Sequence, residues 1–250
     1  MLIDILYENS DLVVINKPAG LRTHGDGKSV VPTVVDWVLE HYPEIAGVGE
    51  PMLVDGKVLD RPGIVHRLDE ETSGALIIAK HQKLFEYLKQ QFKDRLVTKE
   101  YHAFVWGHFK ETQGTVDVPI GRNKNDFRRW HAGRGVRGEA REALTKWQVI
   151  TQFTDDDGQA FSLMHLWPKT GRTHQLRVHM KYLQRPIVSD TLYAPTLPDA
   201  LGFDRVALHA HSISFVTPGG EKLQLTAPYP VDFERAVGQA SKALARDVLL

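Results

Sequence analysis

Arg61-Pro62-Gly63-Ile64-Val65-His66-Arg67-Leu68-Asp69-Glu70-Glu71-Thr72-Ser73-Gly74 is the stretch on which the reading of this chain turns. It sets His66, Arg67 and Asp69 between two apolar, strand-like runs and follows them with small residues. An aspartate held near a strand end serves as a nucleophile or base when a cation keeps it ionised. The same aspartate can equally cap the turn at Glu70–Gly74. The residues alone leave both readings open.

Working outward, Ile3–Tyr7 and Leu12–Asn16 are β-prone runs around Glu8-Asn9-Ser10-Asp11 and predict a hairpin. Thr33–Tyr42 has helical spacing, with Pro32 suited to a first turn. A Gly- and Pro-punctuated loop is expected to run on to Gly63. Gly74–Ala79 predicts a strand, and His81–Arg95 a helix with Leu84, Leu88 and Phe92 on one face. Thr98–Trp106 alternates as a strand does. Residues 121–139, rich in Gly and Arg, predict a mobile basic loop. Glu142–Phe153 and Phe161–Trp167 predict a further β pair, and Arg172–Leu183 a helix turning Leu176, Met180 and Leu183 inward. Val206–His209, Ser212–Val216 and Leu223–Thr226 read as strands, and a C-terminal helix is expected over about 232–248. Strands outnumber helices and are joined mostly by turns, which gives an α+β class with a largely antiparallel sheet. No linker divides the chain, so residues 1–250 are expected to form one domain.

The 250 residues are 42% hydrophobic and 25% charged, which excludes wholesale disorder. No run approaches the 18 apolar residues of a spanning helix. The start, Met1-Leu2-Ile3-Asp4, lacks the basic flank of a signal peptide. The absence of cysteine removes disulfide scaffolds, thiolate zinc sites and thiol catalysis. A cytoplasmic enzyme is the expectation. Lysine plus arginine balance aspartate plus glutamate at 31 each, yet unevenly. Arg122–Lys146 holds eight basic residues and three acids, and Gly158–Ser189 five basic residues and no acid. Such zones fit a protein that meets a polyanion on one face.

Two common motifs fall short. Gly25-Asp26-Gly27-Lys28-Ser29 resembles the tail of a phosphate-binding loop, but Arg22 stands where its first glycine belongs. His174 and His179 are five apart, so at ~100° per residue they leave different faces of a helix, without the glutamate of a zinc-protease pattern. No metal site is expected.

His66-Arg67-Leu68-Asp69 with Thr72-Ser73-Gly74 resembles the signature of the RluA family of RNA pseudouridine synthases. Three further blocks follow in the family's order: Asn16-Lys17-Pro18-Ala19-Gly20-Leu21 with His24, Lys99-Glu100-Tyr101-His102-Ala103 with Gly107, and Pro168–His179 continued by Arg185–Asp190. The resemblance covers about residues 3–230. Ser189 departs from it, since glycine is commoner before that aspartate. The hairpin begins at Ile3, with no room before it for the S4-type RNA-binding module of many relatives, so RNA affinity is expected to come from the catalytic domain itself.

The resemblance implies the pseudouridine synthase fold: a mixed, largely antiparallel sheet with flanking helices and loops. It implies isomerisation of a uridine in structured RNA, ribosomal or transfer RNA, with the target base flipped from its stack. No atoms are gained or lost, so no cofactor is expected. Asp69 is the implied catalytic residue, by attack on C1′, addition to C6 or removal of a C2′ proton. Arg177 is the implied cation paired with it, and Tyr101 the platform for uracil. Arg67 is implied to fill the gap left by the flipped base, and Leu176 to form the opposing wall. His66, Lys17, Thr72, Arg172 and His174 are the other expected substrate-binding residues. Arg122, Lys124, Arg128, Arg129 and Arg134 are expected on the RNA backbone, and the enzyme as a monomer away from membranes. The rival is an RNA-binding protein of the same fold that has lost turnover.

Overall fold

The computed structural model describes residues 2–25, 31–54 and 57–247; the Gly25–Ser29 motif, past Gly25, lies outside them. The chain partitions into two compact units, residues 1–98 with 210–228, and residues 99–209 with 229–250.

The first unit opens with β1 (Asp4–Glu8) and β2 (Leu12–Lys17), the expected hairpin, paired antiparallel. Helix α1 spans Val34–His41. Thr33 is its N-cap, exchanging hydrogen bonds with Asp36 in a capping box, so Pro32 falls outside the first turn. Two short strands, β3 (Met52–Val54) and β4 (Lys57–Leu59), pair within the stretch expected to be loop. Strand β5 (Ser73–Ala79) is buried throughout, and α2 (Gln82–Lys93) lays Leu84, Phe85 and Leu88 on its core face. At the head of β5 a side chain on Gly74 (φ +116°) would put its Cβ 2.2 Å from the Ala210 carbonyl oxygen. Only glycine lets those two backbones approach so closely.

The second unit begins on β6 (Thr98–Trp106), followed by β7 (Gln113–Asp117). Three more strands, β8 (Ile120–Asn123), β9 (Trp130–Ala132) and β10 (Val136–Arg141), form a small antiparallel sheet in the order β10-β8-β9. This corrects the mobile basic loop. Ile120 and Ala132 are buried in a small apolar cluster, Gly133 and Gly135, both at positive φ, supply the turn between β9 and β10, and Gly138 (φ 73°) sits where the register of β10 on β8 shifts. Long strands β11 (Leu144–Thr154) and β12 (Ala160–Pro168) pair antiparallel, and the unit's sheet runs β6-β12-β11-β7.

Helix α3 covers Gln175–Tyr182, three residues short of its expected start, because His174 is left-handed (φ 55°) and ends the preceding loop. The expected strands Val206–His209 and Ser212–Val216 are one continuous strand, β13 (Leu208–Val216). Strand β14 (Lys222–Thr226) pairs with it, and in the first unit the order is β1-β2-β5-β13. Helix α4 (Val231–Asp247) belongs to the second unit and buries Phe233, Ala236, Ala240 and Ala243 in its core. The class is α+β with a largely antiparallel sheet, as the sequence implied. Among the described residues no helix is long and apolar enough to cross a membrane.

Candidate active site

The first unit gathers Asp69, Arg67, His66, Lys17 and Thr72. Asp69 sits half-buried on a tight turn, its carbonyl accepting from the Thr72 amide at 3.1 Å. Among the described residues of this unit, no group hydrogen-bonds its carboxylate. The turn itself is held from every side. Lys17, 0% exposed, donates from Nζ to the carbonyls of Pro18, Leu21 and Glu70 at 2.8, 2.7 and 3.0 Å. A buried ammonium needs such partners to offset its lost hydration. The Gly20 amide donates to the same Glu70 carbonyl, and Thr23 Oγ1 to that of Leu68 at 2.8 Å.

Lys17 and Thr72, both expected at the substrate, are buried and belong to the framework of the turn. His66 is likewise occupied: its Nε2 accepts from the Ile77 amide at 2.9 Å, which requires the proton on Nδ1, and its ring stacks on Phe92.

Arg67 is exposed and steered by His24, whose part the sequence did not reveal. His24 Nδ1 bonds the Gly25 carbonyl and Nε2 faces Arg67 Nη1, each at 2.9 Å. A guanidinium only donates, so His24 is neutral with Nε2 accepting. Burial first, and then the Arg67 charge, hold its pKa below the usual 6.5.

The second unit holds Tyr101, Arg177, Leu176, Arg172 and His174. Arg177 Nε and Nη2 donate to the two oxygens of Asp190, both at 2.8 Å, with side-chain exposures of 10% and 0%. Asp190 also accepts from the amides of Leu192 and Tyr193. The Tyr193 ring lies 5.0 Å from the Arg177 guanidinium carbon, and its hydroxyl bonds His174 Nδ1 at 2.8 Å. Sequence reasoning quoted Asp190 without this role and passed over Tyr193. Ser189, before Asp190, has φ 56°, a conformation that favours glycine, and donates from Oγ to the Phe203 carbonyl. That conformation accounts for the glycine usual in the resembling sequences.

Arg172 is half-buried and donates from Nε to the Glu142 carbonyl at 2.9 Å, and Leu176 belongs to the unit's core. Tyr101, half-buried, lies opposite Leu166 and packs against that core. Strand alternation puts Lys99 on the same face. Burial, then the neighbouring Lys169 charge, push the Lys99 ammonium down to about 8. On the other face His102 and His165 are cross-strand partners beside Glu100, with ligand atoms within 4.8 Å of one another. Their rings stack at 4.3 Å and 9°, so their in-plane lone pairs run side by side and cannot converge on one ion. The trio is read instead as a hydrogen-bond network: Trp167 Nε1 donates to Glu100, and His102 joins Glu100 to Tyr229. Burial and Glu100 push Tyr229 up to about 12.

Of the expected backbone-binding cations, Arg128 donates to both oxygens of Asp126, and Arg129 lies 3.3 Å from the same carboxylate. Hydrogen bonds from Arg128 hold Asp126 down to about 2. Arg122 covers the Trp130 ring at 4.6 Å. Lys124 and Arg134 are exposed.

Residues 11–182 match the RNA pseudouridylate synthase family. The chain belongs to that family. It is 38% identical over 234 residues to an uncharacterized RNA pseudouridine synthase of Synechocystis sp., covering 93% of this chain and 67% of the relative. Ribosomal large subunit pseudouridine synthase D of Vibrio parahaemolyticus is 37% identical over 242 residues, 92% of this chain and 68% of that protein. The solved structure of human RNA pseudouridylate synthase domain containing 4 superposes with a TM-score of 0.72 at 27% identity, covering 95% and 93% of the two chains. The chain is therefore an RNA-directed isomerase, an RNA pseudouridine synthase.

Proposed function

We propose that Asp69 is the group that starts conversion of a specific uridine in structured RNA to pseudouridine. The observation that carries this is the Asp69 carboxylate itself: half-buried on a turn fixed by Lys17, Thr23 and Thr72, and hydrogen-bonded to nothing among the described residues of its unit. A carboxylate positioned by backbone bonds alone keeps its lone pairs for the substrate.

The glycosidic N1–C1′ bond breaks, uracil turns, and C5 bonds to C1′ while the C5 proton leaves to solvent and N1 gains one. Asp69 attacks C1′, adds to C6 or takes the C2′ proton. The family resemblance assigns Arg177 as the cationic residue of the site, Tyr101 as the platform for uracil and Arg67 as the residue that takes the vacated place in the RNA. The atom balance calls for neither metal nor redox cofactor. Relatives named for the ribosomal large subunit favour ribosomal over transfer RNA as substrate. We read the enzyme as a cytoplasmic monomer.

Asp69→Asn is nearly isosteric and removes only the nucleophile or base. Tritium release from RNA labelled at uridine C5 is expected to fall below about one per cent of wild type, with RNA binding and melting temperature kept. Activity above that level would overturn Asp69 as the catalytic residue. Release equally absent from wild type would instead support the binding-protein rival.

A further inference from the structure

A cavity of about 360 Å³ opens in the second unit between the small β8–β10 sheet and the C-terminal end of α3. Its size falls in the ~300–1,000 Å³ span of small-molecule sites. Trp130 of β9 and Tyr182, the last residue of α3, line it, and Tyr182 is 49% exposed. A Cβ on Gly133 would come 3.9 Å from that ring, so the tyrosine lies against the turn after β9. Arg134 and Lys181 bring two positive charges, and none of the nine lining residues is acidic. Arg122, outside the lining, adds a third cation, its guanidinium carbon 4.6 Å from the Trp130 ring centroid.

The backbone points the same way. Gln184 lines the cavity from just beyond the C-cap of α3, at φ 59°. Glycine is the usual residue there, since it adopts this conformation at no cost. Gln184 thus holds a conformation that favours glycine, and its exposed side-chain amide can donate to and accept from a base edge.

We propose that this cavity is a second nucleotide subsite, taking an unpaired nucleotide of the RNA other than the uridine at Asp69. Its base stacks with Trp130 and Tyr182, and its phosphate is neutralised by Lys181 and Arg134. Aromatic faces accept any base, whereas phosphate contacts position without specifying. The subsite thus holds RNA in place and leaves sequence choice to the Asp69 pocket. It communicates with Arg177 through Tyr193, which lines the cavity, accepts the Trp130 amide at 3.0 Å and stacks beside the Arg177 guanidinium. This inference rests on RNA as the substrate, as proposed above.

The test uses the full chain and two probes, a fluorescein-labelled octauridylate and inorganic polyphosphate. Tyr182→Ala and Lys181→Ala alter exposed side chains and are expected to weaken octauridylate binding about tenfold each. Gln184→Gly is expected to weaken it while holding or raising the melting temperature, a combination no purely structural role produces. In tritium release, Tyr182→Ala is expected to raise KM and leave kcat unchanged. Octauridylate bearing 4-thiouridine should photo-crosslink to the peptides carrying Trp130 or Tyr182, in Asp69→Asn as in wild type. Wild-type binding by all three variants, or crosslinks confined to other peptides, would overturn the subsite. Polyphosphate binding as tightly as octauridylate, with Tyr182→Ala affecting neither, would leave only an anion patch and equally overturn it. Because binding and crosslinking do not depend on turnover, failure of the subsite is distinguishable from failure of the Asp69 mechanism.

Discussion

Replacing Asp190 by asparagine tests the most buried charge pair in the candidate site. The carboxylate is 0% exposed and accepts two bonds from Arg177 at 2.8 Å and one each from the amides of Leu192 and Tyr193, at 3.2 and 3.0 Å. Asparagine keeps the shape and one acceptor oxygen but turns an NH2 group towards donors, leaving the guanidinium charge buried beside a neutral amide. Removing one partner of a buried pair costs about 3–5 kcal/mol. Since one oxygen survives, we expect about 3 kcal/mol. For a chain of this size each kcal/mol moves Tm by roughly 2–4 °C, so Tm should fall by about 6–12 °C. Thermal melts of Asp190→Asn, Arg177→Met and the double variant form a cycle, and the double variant should be less damaged than the two singles summed, by at least about 1.5 kcal/mol. The exposed Arg246–Asp156 pair is the control, and its removal should leave Tm unchanged. A Tm drop below about 3 °C for Asp190→Asn, or additive singles, would refute a desolvated ion pair as what orients Arg177.

Other expectations follow from the same geometry. Lys99 should lose its proton near pH 8, so wild-type kcat/KM should decline as pH passes about 8 while Lys99→Gln lacks that limb; an identical limb in both would clear Lys99 of any part. Its folded pKa lies below the unfolded 10.5, so the unfolded chain binds more protons between the two values, and stability should rise with pH across that window. His24, also depressed, contributes stability present above 6.5 and lost as pH falls through its folded pKa; His24→Leu should flatten that acid limb in urea titrations from pH 7 to 4.5. On RNA, Lys124→Ala and Arg134→Ala should each flatten the log–log salt slope by about 0.7, and Arg128→Ala by less because Asp126 already holds it; equal effects would show that RNA draws Arg128 away from that carboxylate.

Where a local run of residue types marks an element, the sequence was readable. The β1–β2 hairpin, α2 and β6 stand within about two residues of expectation, because a β-prone run or an i, i+4 stripe marks each of them. The small sheet of β8–β10 escaped for the opposite reason. Its strands are three to six residues long, short of apolar residues and punctuated by glycines, and what holds them is pairing between segments, which no local window registers. His174 hid the start of α3, since nothing in its neighbours announces a left-handed residue. Motif order singled out Asp69, Tyr101 and Arg177. It could not reveal that Lys17 and Thr72 face inward or that Asp190 takes Arg177, because such polar contacts join residues 13 to 53 positions apart.

The ammonium of Lys17 reaches the main-chain oxygens of Pro18, Leu21 and Glu70. Every amino acid carries that oxygen, so the clasp is indifferent to which side chains stand at positions 18, 21 and 70. Those positions can therefore drift and present new chemistry beside Asp69 without loosening the turn. Lysine itself has no such latitude. Its three N–H bonds fan out as a tripod, a geometry that the planar fork of arginine does not reproduce. One invariant requirement at the base of the loop thus gives its rim freedom to vary, and enzymes built this way can change the RNA they serve while keeping the reaction they perform.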